Sequence, residues 1–458
     1  MSFIIENIEL LQMKRVYIVS LGCDKNRVDT EHMLYLLNKG GYGIVGEIGE
    51  SDVVIVNTCA FVESAKIEAI ETILELAGQK RDEAKLIVTG CLPQKYRDEL
   101  EKDFPEVAAF LGVRDYEKLV GILDRITETD ALASQAKQLQ QVDEKNLLRR
   151  IRTTPQHYAY LRISDGCNNK CTFCTIPSIR GPYKSVTPDL LVTEAEGLAR
   201  SGARELIFVA QDVTRYGHDL FGTNNGTKSL CDLIDKVSRI DGIDYIRLMY
   251  CYPDVIDERL IDMVANNPKV VKYLDIPMQH ASDKILSMMG RHGKSNELRL
   301  LIETLYKRIP DITLRSTLMV GFPGETAKEF AELIEFVKWA KIRHLGFFAY
   351  SREEDTPSHN LKGHITEAVK KKRFNTIAKI QAEVVETINK RLIGKVIKAI
   401  YEDIEYDRNL FIARPLFSAP EVDSIIHFSA DFVDIGQDVD IKVTGVQGYD
   451  LIGEKKQL

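Results

Sequence analysis

Three cysteines share one short segment, which reads Gly166-Cys-Asn-Asn-Lys-Cys-Thr-Phe-Cys174. Their spacing, C-x3-C-x2-C, places three thiolates on one loop, where they can reach three corners of a cubane iron–sulfur cluster. The fourth iron would then have no protein ligand close by, and an open iron site can bind and polarise a small molecule. We call Cys167, Cys171 and Cys174 the loop cysteines.

A zinc site is the alternative interpretation of this loop. Structural zinc sites usually have four ligands arranged in pairs, and no CxxC or HxxxH partner occurs elsewhere in the sequence. The loop also follows the strand-like segment HYAYLRIS, at the strand end where β/α barrels carry their chemistry. The sequence therefore favours a cluster over zinc.

Three further cysteines each follow a candidate parallel strand. Cys23 ends RVYIVSLGC, Cys59 ends DVVIVNTC and Cys91 ends KLIVTGC, and we call them the strand-end cysteines. The carboxyl ends of strands in an open α/β sheet share one edge, where ligands bind. The pattern predicts a second three-cysteine cluster site with an open iron, and three unrelated buried thiols are the alternative. Cys231 and Cys251 have no such context, and we interpret them as structural thiols.

Polar residues also follow strands in the central part of the chain, in the segments AQD, QH and GFPGE. Their position suits contact with a substrate or cofactor, although each is equally suited to a cap or a turn. For His280 we favour a structural role over metal ligation or proton transfer. The candidate cofactor contacts are Phe173, Gln211, Asp212, Gln279, Gly321 and Glu325.

Alternating strands and helices predict a doubly wound α/β domain over residues 13–125. The strand candidates are Arg15–Ser20, Asp52–Val56 and Lys85–Val88, and the helical stretches are Thr30–Asn38, Ser64–Leu76 and Gln94–Lys102. Residues 126–150 are polar and lack a strong apolar face, so we interpret them as a linker or an exposed helix.

Six further strand candidates predict a partial (β/α) barrel over residues 151–390. They begin at His157, Glu205, Tyr245, Val271, Thr313 and His344. A long helix is expected from Thr366, its N-cap, to Leu392. After Gly394, short β-rich runs separated by polar turns predict a small β-barrel of the oligonucleotide-binding kind, which we assign to residues 391–458.

Composition bounds the class of protein. The 458 residues suggest two to four domains, and a net charge of −7 with an isoelectric point of about 5.8 is not that of a generally basic nucleic-acid binder. No apolar run approaches the ~20 residues that span a bilayer, and the first residues make a poor signal peptide. We therefore expect a cytoplasmic protein without a membrane partner, whose thiols stay reduced.

The loop GCNNKCTFCTIPSIRG resembles that of the radical S-adenosylmethionine family, and within it the methylthiotransferases. Members carry an N-terminal α/β domain with three separated cysteines, a central partial barrel and a C-terminal β-barrel of the TRAM type. Here the N-terminal cysteines lie in SLGCDKNRVD, IVNTCAF and VTGC. The resemblance covers the chain from Met13 onward and leaves residues 1–12 outside it.

Two branches of this family compete as the match. One modifies an adenosine in transfer RNA, and the other modifies an aspartate of ribosomal protein S-twelve. The segments IPSIRG, AQDVTRYG, YLDIPMQHAS, YSREEDTP and SAPEVDS resemble the second branch. Residues 391–458 carry eight Lys or Arg and twelve Asp or Glu, a net charge of −4, which suits a basic ribosomal protein better than RNA. We expect acidic residues such as Asp423, Asp431 and Asp434 to face that substrate.

The resemblance implies a mechanism. The loop cysteines hold a 4Fe–4S cluster that binds S-adenosylmethionine and cleaves it to a 5′-deoxyadenosyl radical, which takes hydrogen from the β-carbon of the target aspartate. The strand-end cysteines hold a second 4Fe–4S cluster, which presents the sulfur that becomes methylated by a further S-adenosylmethionine. No catalytic side chain beyond the cluster ligands is expected.

The resemblance also implies two partners for the reaction, and two alternative functions stay open. The implied partners are an electron donor such as flavodoxin or ferredoxin and a sulfur donor. One alternative is methylthiolation of a transfer-RNA adenosine by the same two clusters. The other is a non-catalytic iron–sulfur or zinc RNA-binding protein.

Overall fold

The computed structural model describes residues 13–127, 149–408, 410–430 and 433–456. They form a five-stranded sheet, a six-stranded sheet and a closed five-stranded barrel, in this order along the chain. No helix within these ranges is long and apolar enough to cross a membrane.

The first sheet is parallel throughout. Its strands are β1 (Arg15–Ser20), β2 (Gly43–Ile44), β3 (Val53–Thr58), β4 (Lys85–Gly90) and β5 (Val107–Leu111), in the order β2-β1-β3-β4-β5. Its helices are α1 (Asp24–Lys39), α2 (Glu63–Gln79), α3 (Cys91–Asp103) and α4 (Leu119–Thr127). The predicted doubly wound fold is confirmed, whereas β2 and β5 were not predicted.

Helices cover both faces of this sheet because β3 is apolar on both sides. Val56 packs in one core with Ile73 of α2, and Ile55 packs in the other core with Met33 of α1. Every residue of β3 is buried, as expected for a strand of a parallel sheet covered on both faces.

Helix α1 begins at Asp24, earlier than the predicted stretch. Its first turns bury Asn26 and Asp29, polar residues that a hydropathy pattern assigns to the surface. The Asp29 carboxylate is paired with Arg162 and Arg180 of the central domain. The helix is therefore an interface element, and its buried charges are compensated across the interface.

The second sheet consists of six parallel strands in the order β13-β12-β11-β10-β9-β6, which confirms the predicted partial barrel. A two-stranded ribbon, β7 (Ser164–Asp165) and β8 (Lys184–Ser185), flanks the loop cysteines. The six strands are β6 (Tyr158–Arg162), β9 (Glu205–Val209), β10 (Tyr245–Leu248), β11 (Val270–Asp275), β12 (Thr313–Val320) and β13 (His344–Ala349). The helices are α5 (Ile176–Arg180), α6 (Pro188–Arg200), α7 (His218–Phe221), α8 (Lys228–Ser238), α9 (Glu258–Asn266), α10 (Asp283–Met288), α11 (Ser295–Arg308), α12 (Ala327–Ala340) and α13 (Glu367–Lys390).

The two faces of the six-stranded sheet have different partners. Leu206 and Phe208 of β9 pack in the core beneath the outer helices. The opposite, inner face lines the interior of the partial barrel, which we call the lumen. Val28 of α1 and Ala419 of the C-terminal domain pack against this inner face. The inner-face cluster contains Tyr158, Tyr160, Ile207, Val209, Met249, Val271 and Tyr273.

The C-terminal strands close into a barrel in the order β14-β15-β16-β18-β17, as predicted. They are β14 (Val396–Glu405), β15 (Leu410–Pro415), β16 (Ile426–Ser429), β17 (Asp438–Gln447) and β18 (Asp450–Lys455). Short 3-10 helices elsewhere in the described chain cover Ile48–Glu50, Tyr116–Lys118, Thr223–Asn225, Pro357–Asn360 and Tyr406–Arg408.

The C-terminal barrel closes the amino-terminal end of the lumen. Glu205, the first residue of β9, accepts hydrogen bonds from Arg247 Nε at 2.7 Å and from Arg414 Nη2 at 2.6 Å. At the first residue of β13, His344 Nε2 lies 3.0 Å from the backbone oxygen of Phe417. The opposite, carboxyl-terminal end of the strands carries the loop cysteines.

The expectation that Asp423 faces the substrate is wrong. Its side chain is 2% exposed, and its carboxylate accepts a hydrogen bond from Tyr273 Oη at 2.7 Å and is paired with Arg315 at 3.2 Å. This carboxylate belongs to the contact between the C-terminal barrel and the lumen. Asp434 is exposed, and Asp431 lies outside the described residues.

The expected linker, residues 126–150, lies mostly outside the described residues. Its first two residues end α4, and residues 128–148 are not described. Arg150 is buried at its far end and is paired with Glu31 of α1 and Glu194 of α6. The end of this segment thus contributes to the interface between the first two sheets.

Candidate cluster sites

The loop cysteines follow β7 directly, at the carboxyl end of β6. Gly166 has φ of +75°, and a Cβ added there would lie 2.2 Å from the Pro182 oxygen, so the position requires glycine. The Cys167 N–H donates to the Gly181 oxygen at 3.1 Å, which closes the loop on itself. The sequence thus forms a tight loop whose three thiols are all partly exposed.

The chemistry of these thiols fits a cluster. The pKa of Cys167 is raised to about 11 and that of Cys174 to about 12, mainly by burial and in part by the neighbouring loop thiolates. Three thiolates in this environment need a cation beside them, which iron supplies. In the described ranges, no three His, Cys, Asp or Glu side chains form a group that could hold a single metal ion. A cubane carries irons at separate corners, so its ligands stand farther apart than those of one ion.

Two side chains that the sequence did not single out lie against Cys171. Its Sγ is 3.4 Å from Tyr252 Oη and 3.8 Å from Arg291 Nη1, and the guanidinium lies 3.8 Å from the centre of the Tyr252 ring. Burial raises the pKa of Tyr252, so the hydroxyl stays protonated and can donate. The position of Tyr252 shortly after β10 could have marked it in the sequence as a candidate, because functional side chains follow strands in this fold. Arg291 follows α10, and no sequence pattern points to it.

The strand-end cysteines lie at the carboxyl ends of three adjacent parallel strands. Cys23 immediately precedes α1, Cys59 follows β3, and Cys91 is the first residue of α3. A Cβ added to Gly22 would lie 2.7 Å from Cys59 Cβ and 3.2 Å from its Sγ. Only glycine at this position lets the segment before α1 come so close to Cys59.

Positive charge near the strand-end cysteines partly offsets the effect of burial on the pKa of their thiols. Burial raises the pKa of Cys91 to about 12 and also raises that of Cys59, and the other thiolates of the set add to both effects. The guanidinium of Arg180 opposes this rise at both thiols. The amino ends of α1 and α3 also favour negative charge here. The site is therefore suited to thiolates that bind a cationic group.

Gln211 and Asp212 contact the loop segment. Asp212 Oδ2 accepts a hydrogen bond from Asn169 Nδ2 at 2.9 Å, and burial raises the pKa of this carboxyl. Gln211 Nε2 donates to Asp165 Oδ1 at 3.1 Å, while its buried Oε1 has no hydrogen-bond partner. The structure thus brings both candidates to the loop cysteines and leaves one acceptor free.

Glu325 holds the turn that follows β12. Its Oε2 accepts a hydrogen bond from the Gly321 N–H at 2.7 Å, and its Oε1 accepts one from Arg373 Nη1 at 2.7 Å. Gly321 has φ of +76°, and an added Cβ would lie 2.5 Å from Lys370 Cγ. The carboxylate is 1% exposed, so its direct role is to fix the backbone of the turn.

Phe173 and Gln279 complete the candidate contacts. Phe173 packs edge-to-face on Phe322, which lies in the turn after β12, with ring centres 6.5 Å apart. Gln279 has φ of +71°, a left-handed conformation that is unusual for a residue with a side chain. His280 is fully buried; its Nδ1 accepts the Ser282 N–H at 2.9 Å, and its Nε2 lies 3.6 Å from Glu325 Oε2.

Three family models match the chain in the order of its sheets. The model described as "Uncharacterized protein family UPF0004" matches residues 15–112, the radical SAM superfamily matches 161–337, and the TRAM domain matches 393–455. The solved structure of TsrM, a radical S-adenosylmethionine methyltransferase from Kitasatospora setae, has a TM-score of 0.55 at 14% identity. This likeness covers 76% of this chain and 74% of that one, and it concerns the fold.

These findings define the chain as a radical S-adenosylmethionine enzyme, a class whose members use that cofactor together with a 4Fe–4S cluster. The ribosomal protein uS12 methylthiotransferase RimO of Acetivibrio thermocellus is 46% identical, over 96% of this chain and 98% of its own length. The RimO of Clostridioides difficile is 41% identical, over 96% and 99%. The chain belongs to this methylthiotransferase family.

Proposed function

We propose that this chain methylthiolates the β-carbon of an aspartate in ribosomal protein uS12, the protein called S-twelve above. The observation that carries this proposal is the identity with RimO relatives, which extends over nearly the whole of both chains. The two cysteine sets support it, because a methylthio transfer needs one site for radical generation and one for sulfur.

The loop cysteines would hold the 4Fe–4S cluster of the radical reaction. When bound, this group supplies the electron that cleaves S-adenosylmethionine and so generates the hydrogen-abstracting radical. The hydroxyl of Tyr252 and the guanidinium of Arg291 would donate to Cys171 Sγ in that state. Hydrogen bonds to cluster sulfurs tune the reduction potential, and donors raise it because they stabilise the more negative, reduced form.

The turn after β12 is proposed to orient S-adenosylmethionine. Glu325 and Arg373 hold the backbone around Gly321, which a side chain at that position would displace. Phe173 packs on this turn through Phe322 and thereby ties it to the loop cysteines. The free Oε1 of Gln211 is available to accept a hydrogen bond from the bound molecule. Asp212 and Gln279 are proposed as further contacts.

The strand-end cysteines are proposed to hold a second 4Fe–4S cluster, where the transferred sulfur is presented. The guanidinium of Arg180, which acts to lower the pKa of Cys59 and Cys91 against the effect of burial, and the helix amino ends beside them support a thiolate site. An electron donor such as flavodoxin or ferredoxin and a sulfur donor would complete the reaction. A cytoplasmic location is proposed, where ribosomes and such donors are found.

The test is mass spectrometry of ribosomal protein uS12 and of transfer RNA after reaction with reconstituted enzyme, reductant and S-adenosylmethionine. We expect a methylthio group on an aspartate of the protein, together with 5′-deoxyadenosine. Product on transfer RNA alone would overturn the substrate and leave the radical chemistry standing. Without any 5′-deoxyadenosine, the chain would instead be a non-catalytic binding protein.

A further inference from the structure

One buried arginine joins the two cysteine sites. Arg180 is the last residue of α5, and its side chain is 2% exposed. Its Nη2 donates to Asn26 Oδ1 at 2.6 Å and to Asp29 Oδ2 at 2.9 Å, both on α1. Its Nη1 donates to Asp165 Oδ1 at 3.2 Å, two residues before Cys167. A single planar guanidinium thus connects the helix that follows Cys23 to the strand that leads into the loop cysteines.

Asn26 extends this connection to all three segments that carry strand-end cysteines. Its Oδ1, which accepts from Arg180, lies 3.6 Å from Cys91 Sγ. Its Nδ2 donates to the Leu21 oxygen at 3.1 Å and to the Thr58 oxygen at 2.9 Å, next to the segments of Cys23 and Cys59. A shift of Arg180 would therefore be felt at each of these cysteines.

The two carboxylates and the two guanidinium groups of this network balance each other in charge. Asp29 and Asp165 are compensated by Arg162 and Arg180, and of the four side chains that of Asp165 is the most exposed, at 28%. The fork of an arginine can bond two or three acceptors at fixed angles, whereas a lysine ammonium is a point charge on a flexible stem. Replacement of Arg180 by Lys would keep the charge and lose the fixed geometry.

We propose that Arg180 is the positioning residue that fixes the strand-end cysteines relative to the loop cysteines. Carbon–sulfur bond formation requires the sulfur of one site to lie within reach of the substrate carbon activated at the other. This inference rests on the proposed function, because it assumes that each cysteine set holds a cluster. Arg180 acts through Asn26 and Asp165 and is not itself a group that touches substrate.

The experiment compares Arg180→Lys with Arg150→Lys. Arg150 is an equally buried arginine that ties α1 to the central domain through Glu31 and Glu194. Glu31 lies eight residues beyond Cys23, about 12 Å along the helix. Asp165→Asn is a second, nearly isosteric variant that weakens the bond from Arg180 to the loop segment. The other partner of Asp165 Oδ1, Gln211 Nε2 at 3.1 Å, is a neutral amide whose hydrogen bond the new amide oxygen can still accept. Anaerobically reconstituted proteins are measured for iron, for the magnetic interaction between the two reduced clusters by electron paramagnetic resonance, and for the ratio of methylthio product to 5′-deoxyadenosine.

We expect Arg180→Lys and Asp165→Asn to retain about eight iron per chain and to cleave S-adenosylmethionine. Their magnetic interaction should change, and the product ratio should fall, by up to about 100-fold for a displacement of about 1 Å. Arg150→Lys should match the wild type in both measurements. The inference fails if Arg180→Lys matches the wild type, or if Arg150→Lys changes both measurements equally. A wild-type chain with only about four iron would instead overturn the two-cluster proposal beneath it.

Discussion

Replacement of Glu205 by Gln should weaken the contact between the C-terminal barrel and the central sheet. Glu205 is fully buried between Arg247 and Arg414, and Arg414 also bonds Glu402 Oε1 at 2.7 Å. Burial alone would raise the pKa of Glu205, but the two guanidinium groups outweigh it and lower the pKa from 4.5 to about 2. At 1.36 kcal/mol per pKa unit, this shift corresponds to about 3 kcal/mol of stability.

The variant leaves two arginines around one neutral amide, and removal of one partner from a buried pair costs about 3–5 kcal/mol. At about 2–4 °C per kcal/mol for a unit of 150–250 residues, the Tm should fall by roughly 6–20 °C. Glu402→Gln is the matched control, because this carboxylate bonds the same Arg414 but has a side chain that is 19% exposed. Its Tm should fall by less.

The pH dependence gives an independent readout. Because the folded-state pKa of Glu205 is lower than its ordinary value, its contribution is complete above about pH 5 and is lost as the pH falls through 4.5 toward 2. Calorimetry of wild type and Glu205→Gln should therefore show Tm curves that lie apart at neutral pH and converge in acid. Curves that coincide at pH 7, or a larger effect from Glu402→Gln, would refute the reasoning.

Three further outcomes are expected. Alanine at all three loop cysteines should halve the iron content and abolish the formation of 5′-deoxyadenosine. Alanine at all three strand-end cysteines should also halve the iron content, but it should retain some 5′-deoxyadenosine and abolish the methylthio product. Methylthio product from this second variant would contradict the sulfur site. Tyr252→Phe should keep the iron and lower the midpoint potential of the loop cluster in a redox titration, because a donor to Cys171 is lost, and an unchanged potential would remove this role. Asp434→Lys combined with Asp440→Lys, two exposed positions of the C-terminal barrel, should reduce modification of ribosomal protein uS12, most strongly at low salt, without changing substrate-free cleavage of S-adenosylmethionine. Equal modification at low salt would show that these carboxylates do not guide the substrate.

Most of the strands that bury apolar runs were predictable from the sequence, with β5 as the exception. All six central strands were found, because each is a short apolar segment with turn signals around it. Strand β2 has only two residues and so gives no pattern. Strand β5 was missed although its run VAAFL is apolar and buries Val107, Phe110 and Leu111. The start of α1 was missed for a different reason: Asn26 and Asp29 are buried by polar pairing across an interface, which hydropathy along one segment does not register.

The candidate sites were predictable to the extent that they are local. The spacing of the loop cysteines is visible in eight consecutive residues, and the strand-end cysteines share one position relative to their strands. The side chains that surround them come from distant parts of the chain. Arg291 reaches Cys171 across 120 residues, and Arg180 reaches Asn26 across 154. Such contacts depend on the packing of whole sheets, and no local pattern predicts them.

The closed amino-terminal end of the lumen has a consequence for how the protein is made. Its floor consists of residues such as Arg414, Leu416 and Ala419, which are synthesised after every strand of the central sheet. Before these residues are synthesised, all six strands of the central sheet are present, but Tyr158 and Tyr273 on its inner face are exposed to solvent at the amino-terminal end. The loop cysteines, at the other end of the strands, are complete much earlier. A product truncated before Arg414 would therefore expose the inner-face cluster to solvent, and exposed apolar surface promotes aggregation.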